Sequence, residues 1–132
     1  MDYQEIKSFE DACALRKYDA QVLPDVSQLP EHLREYITAH YKLAVIAEAI
    51  NPEGYAPDWS NYSERKYYPW PDIETKRGEE VNTAGVGFSV GDCFYVTSDA
   101  AVGSRLCFPD RERCVYAFET FKDLYKAILL RS

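Results

Sequence analysis

Residues 86–108 read VGFSVGDCFYVTSDAAVGSRLCF. Three short runs rich in β-branched and aromatic residues, VGFSV, CFYVTS and SRLCF, are separated by Gly-Asp and by DAAVG, which predicts an antiparallel meander. Tyr67 and Tyr68 are expected to add an edge strand, because Pro69 lacks the N–H that a central strand must donate. A small sheet needs cover on one face. Downstream, Asp110 can cap a helix over RERCVYAFETFKDLYKAILL, where Cys114, Ala117, Phe118, Phe121, Leu124, Tyr125 and Ile128 repeat at three and four. Glu119, Lys122, Asp123 and Lys126 occupy its other side, so this helix, from about 111 to 130, is expected to lie across the sheet.

Upstream the period is helical. Ser8 followed by Asp11 resembles a capping box with Asp in place of Glu, and Phe9, Ala12, Cys13 and Leu15 follow at helical spacing, predicting a helix near 9–19. The connector DAQVLPDVSQLP is held extended before Pro24 and Pro30. Pro30 suits the first turn of a second helix, over 30–51, whose expected apolar face runs through Leu29, Leu33, Tyr36, Ile37, His40, Leu43, Ala44, Ala47 and Ile50. Its second half, LAVIAEAI, is apolar nearly all round and should be covered on more than one side. Asn51, Pro52 and Gly54 stop it. The expected fold is α+β: two N-terminal helices, a small antiparallel sheet of three to four strands, and a C-terminal amphipathic helix packed on the sheet, in one globular domain over 1–132.

The totals agree with one folded core. A chain of 132 residues with six Phe, eleven Tyr and two Trp has the apolar surface a disordered chain lacks. The net charge of −7 divides as −5 over residues 1–66 and −2 over 67–132, so neither half offers the basic field that phosphate neutralisation requires. An acidic surface that captures a basic protein is compatible with this charge; charge kept for solubility is the commoner explanation. No run of 18 apolar residues occurs, and MDYQEIKSFEDA lacks the basic and apolar stretches of a signal peptide, so no membrane contact and a cytoplasmic location are expected. Cys13, Cys93, Cys107 and Cys114 sit in helix- and strand-like surroundings and are expected to be reduced, buried thiols.

Chemical motifs are few. No C-x-x-C pair marks a metal site, and His40 reads as a core or boundary histidine on the apolar side of its helix. GVGFSVG has the spacing G-x-G-x-x-x-G and leads into another strand, which argues against a phosphate loop and for a bulge or a close approach of another chain segment. There is no G-x-S-x-G elbow to activate a serine. No catalytic residue, metal or cofactor is implied, and a non-enzymatic role is favoured. A small-ligand or hydrolytic site would have to gather around His40 and Arg105, a lone cation between Gly103-Ser104 and the apolar Leu106-Cys107-Phe108.

The densest aromatic stretch is ERKYYPWPD at 64–72. Pro69 and Pro71 hold Tyr68 and Trp70 extended, so successive rings project to opposite sides. Packing of Trp59, Tyr67 and Trp70 over the core is the plain reading. The functional reading is a partner-facing patch of Trp59, Tyr67, Tyr68 and Trp70 with Arg105 as an anchor. The same rings could stack on single-stranded nucleic acid, which the acidic charge disfavours.

Taken in order, SFEDACALRKYD, LPEHLREYITAHYKLAVIAEAIN, PDWSNYSERKYYPWPD, VGFSV, VGSRLCF and YAFETFKDLYKAILL resemble a family of small uncharacterised proteins of gut Bacteroides and their phages and prophages. The matching positions are Pro57-Asp58-Trp59, Asn61, Lys66 to Trp70, Gly87-Phe88-Ser89, Gly103 to Phe108 and Asp123 to Lys126. Pro71 replaces an aromatic of the pattern, and Val86 stands between its glycines. The resemblance carries no activity or catalytic residue. It implies an accessory protein of a phage or mobile element, with a host or phage protein as partner.

Overall fold

The computed structural model describes residues 2–61, 63–75, 86–96 and 106–129, of which 70–75 and 86–96 are described as backbone. Helix α1 spans Phe9–Arg16. Ser8 Oγ accepts the Asp11 N–H at 3.0 Å while the Asp11 carboxylate accepts the Lys7 N–H at 3.0 Å, so the expected box forms with Asp as its second member. The helix stops short of residue 19 because Lys17 turns left-handed (φ 62°, ψ 36°) and the Tyr18 N–H closes on the Cys13 carbonyl at 2.9 Å.

Helix α2 is Glu31–Ile50, with Pro30 as its N-cap and the Asn51 N–H closing on Ala47 O. Its second half is enclosed as expected: Leu43, Val45, Ile46, Ala47, Ala49 and Ile50 are all buried. The first half corrects the sequence reading, since Leu33 and Tyr36 are 38% and 39% exposed and His40 is also exposed. The cover lies on a different face: Ala39 is buried, and Leu124 and Ala127 of α4 line a concavity with Arg34, Glu35 and Thr38.

The C-terminal segment is two helices, α3 (Arg111–Thr120) and α4 (Lys122–Leu129). Asp110 caps α3 by accepting the Arg113 N–H at 2.8 Å, as its position suggested. Phe121 leaves helical geometry (φ −113°, ψ 32°) and its buried ring anchors the corner. The bend lets α3 contact the strands while α4 packs against α2. A straight helix on a sheet is therefore replaced by a corner that touches both.

The strands also depart from expectation. Strand β1 (Lys66–Thr75) pairs antiparallel with β2 (Val86–Val96), and the sheet they form has two strands. The expected α+β architecture on a three- to four-stranded sheet is wrong: the described residues build a helical body of four α-helices with one β-ribbon. VGFSV and CFYV are halves of one strand because Gly91-Asp92 does not turn. The register slips there instead, Trp70 facing Asp92 and Asp72 facing Ser89, so one residue of β1 opposes two of β2. Continuing through the bulge lets nine of the ten residues of β1 find a partner, more backbone pairing than a two-residue turn would allow. In SRLCF the described part adds a single bridge, Tyr67 to Phe108, with reciprocal hydrogen bonds of 2.9 and 2.8 Å.

One apolar cluster joins these parts. Ile6, Phe9, Ala12 and Cys13 meet Leu43, Ile46, Ala47 and Ile50 of α2, with Phe108, Ala117, Phe118, Phe121 and Tyr125 on the other side. Tyr116 ties the N-terminus down, its hydroxyl donating to Ile6 O at 2.6 Å and Gln4 O at 3.0 Å. Cys13 and Cys107 are buried thiols as expected, whereas Cys114 is disulfide-bonded, which corrects the reading of four reduced thiols.

Candidate functional site

The end of α2 organises everything around it. Its last turn carries Glu48 and no basic residue, leaving the carbonyl end of the helix without a local cation. Two arginines supply the charge from other elements. Arg16 Nη2 of α1 donates to Glu48 O at 2.8 Å and Asn51 O at 3.1 Å, and Arg113 Nε of α3 donates to Ile50 O at 3.0 Å. The Arg113 guanidinium also pairs with the Asp110 carboxylate and lies 4.8 Å from the centre of the Tyr3 ring. Asn51, read in the sequence only as a helix stop, is buried and donates from Nδ2 to Cys107 O at 3.0 Å.

The segment 58–66 is built around an ion. Lys66 is fully buried, and its ammonium donates to Asp58 O at 2.7 Å and Asn61 O at 3.0 Å, stands 3.5 Å from Glu64 Oε1, and lies 5.2 Å from the centre of the Trp59 ring. The loop is shaped to present those carbonyls. Asp58 Oδ1 accepts from the Ser60 N–H and hydroxyl, Asn61 Oδ1 accepts the Ser63 N–H, and Glu64 Oε1 accepts the Asp58 N–H at 2.8 Å. The Ser60 hydroxyl, then its N–H, holds the Asp58 carboxyl below the usual carboxylate range. Asp58, Trp59, Asn61 and Lys66, the positions of the PDW–N–K pattern, thus make the loop itself.

Beside this loop lies a groove of about 940 Å³ between the end of α1, the second half of α2 and residues 51–59. Four aromatic side chains, Tyr18, Tyr41, Tyr55 and Trp59, line it together with Arg16, Glu48, Glu53 and Cys107. The Tyr18 hydroxyl donates to both Glu48 carboxylate oxygens, at 2.9 and 3.1 Å, and that bond with the carboxylate charge raises the Tyr18 pKa. Tyr55 Oη and Cys107 Sγ are 3.9 Å apart. Burial raises the pKa of both, so each stays protonated and Cys107 is a poor nucleophile.

The residues singled out from sequence are not gathered in one place. Trp59 is half-buried on the groove wall; Tyr67 is half-buried and packs against the core beneath Phe108; Tyr68 is half-buried on β1. The Trp70 side chain and Arg105 lie outside the described residues. His40 corrects its reading as a core or boundary group: it is exposed on α2, its ring 6.0 Å from that of Tyr36, and is not part of the groove. Tyr18, Tyr41, Glu48 and Tyr55 have no single motif in the sequence: Tyr41 and Glu48 lie seven residues apart on one face of α2, Glu48 being the one polar residue of LAVIAEAI, while Tyr18 and Tyr55 come from other segments. Among the described residues no three His, Cys, Asp or Glu side chains gather to hold a metal ion, and no helix is long and apolar enough to cross a membrane. Compared with protein families, curated proteins and solved structures, the chain finds no match in any of the three.

Proposed function

We propose that the protein is a non-enzymatic interaction module, in the phage or prophage setting its sequence resembles, and that it holds a partner protein in the groove walled by Trp59. The observation that carries this reading is the grouping of Tyr18, Tyr41, Tyr55 and Trp59 along one concavity on a rigid support. Aromatic side chains give large contact area at small entropic cost, which is why they dominate binding hot spots. The support is rigid because Lys66 fixes the Trp59 loop from within and Arg16 fixes α1 to the end of α2. A reaction is less well served: the Cys107 thiol is held protonated and the exposed His40 is not part of the groove.

The test is capture of partners from host lysate by wild type and by Trp59→Ala and Tyr18→Ala proteins whose circular dichroism is unchanged. Loss of the same proteins from both variants supports the groove. Identical recovery by every folded variant removes it.

A further inference from the structure

The charges of the groove are unequally satisfied. Arg16 is committed to main-chain carbonyls, through Nη2 to Glu48 O and Asn51 O, and so does not neutralise the Glu48 carboxylate. That carboxylate accepts only from a neutral phenol, Tyr18, and Glu53 on the rim is exposed; among the described residues neither forms an ion pair. Elsewhere the molecule completes the same set of parts with a cation. Arg113 sits between the Asp110 carboxylate and the Tyr3 ring, and Lys66 sits between Glu64 and the Trp59 ring. The groove holds the acid and the rings, and its own guanidinium, Arg16, is turned to main-chain carbonyls instead of pairing with the carboxylate.

We propose that the groove receives an arginine or lysine side chain of a partner polypeptide, its charge set against Glu48 and its stem along the rings of Tyr18, Tyr41 and Trp59. This rests on the reading of the groove as a protein-binding surface and adds the chemistry of what enters it. A guanidinium or ammonium over aromatic faces gains from the ring quadrupole, and the Glu48 carboxylate adds a charge-assisted hydrogen bond. The net charge of −7 favours the approach of a basic segment and disfavours an acidic one.

The experiment pans a random heptapeptide display library against the wild-type protein with counter-selection against Trp59→Ala, then measures resynthesised peptides by calorimetry. The expected hits share an arginine or lysine, and replacing it with neutral citrulline or acetyl-lysine weakens binding by about tenfold. Glu48→Gln, which keeps an acceptor for Tyr18 and drops only the charge, weakens the same peptides by about fivefold and flattens their salt dependence. Should Trp59→Ala fail to fold, Tyr18→Ala serves as the counter-selection, since Tyr18 is 44% exposed. Hits that need Trp59 but carry no basic residue overturn the cation site and leave the interaction module standing. If no peptide depends on the groove, the interaction reading falls and this inference falls with it.

Discussion

Two regions of this protein invert the usual rule of placement. In the loop 58–66 a lysine is sealed from solvent, with 0% exposure. Along the first half of α2 and the connector before it, Val22, Leu23, Leu33 and Tyr36 are 38% to 62% exposed. The difference lies in partners and cover. Lys66 can be buried because two carbonyls, a carboxylate and an indole replace its water. Leu33 and Tyr36 are left out because α4 lies along the face of Arg34, Glu35 and Thr38 instead.

That contrast can be broken most severely at Lys66. Lys66→Met keeps most of the volume but takes the ammonium from Asp58 O and Asn61 O, which keep only the Asn61 and Glu64 N–H donors, and leaves Glu64 without its cation; the expected loss is about 2 kcal/mol in urea unfolding at unchanged m-value. A loss under about 1 kcal/mol would mean that the ammonium does not organise the loop. The buried side is sharpened next by Arg113→Met, which removes the cation from the end of α2 and from Tyr3. About 1–2 kcal/mol should be lost.

Acid should loosen the loop more gently. Asp58 has a folded pKa depressed below its ordinary 3.8, so its contribution is present above that value and is lost as pH falls through the lower folded one. An NMR titration of the Ser60 amide should follow this step, and Asp58→Asn should abolish it; an unchanged titration in the variant would assign the step to another carboxyl. The smallest effects belong to the exposed side. Leu33→Ser and Tyr36→Ser should each change stability by less than about 0.5 kcal/mol, and a larger loss would show that this face is covered in solution.

How much of this was legible depends on range. Ser8 and Asp110 as caps, α2 within a residue at each end, and the enclosure of LAVIAEAI follow from chemistry within a turn or two of each residue. The corner at Phe121 was not legible, because the apolar repeat of Phe118, Phe121 and Tyr125 runs straight through it. The glycines of GVGFSVG fit a bulge or a close approach of another segment, and Gly91-Asp92 also fits a turn; only pairing with 66–75 decides for the bulge. The groove was the least visible feature, since Tyr18, Glu48 and Trp59 come from three separate segments.

The sequence by itself determined where α1, α2 and α3 begin, which half of α2 is enclosed, and that an extended aromatic segment surrounds Pro69. Tertiary structure alone decided that the strands pair as one ribbon, that Lys66 rather than a ring lies at the heart of the loop, and that Glu48 shares a groove with four aromatic side chains. The reason is physical. Caps and amphipathic faces are set by neighbours three or four residues away, whereas strand pairing, burial of a charge and the walls of a groove depend on groups brought together only when the chain is packed.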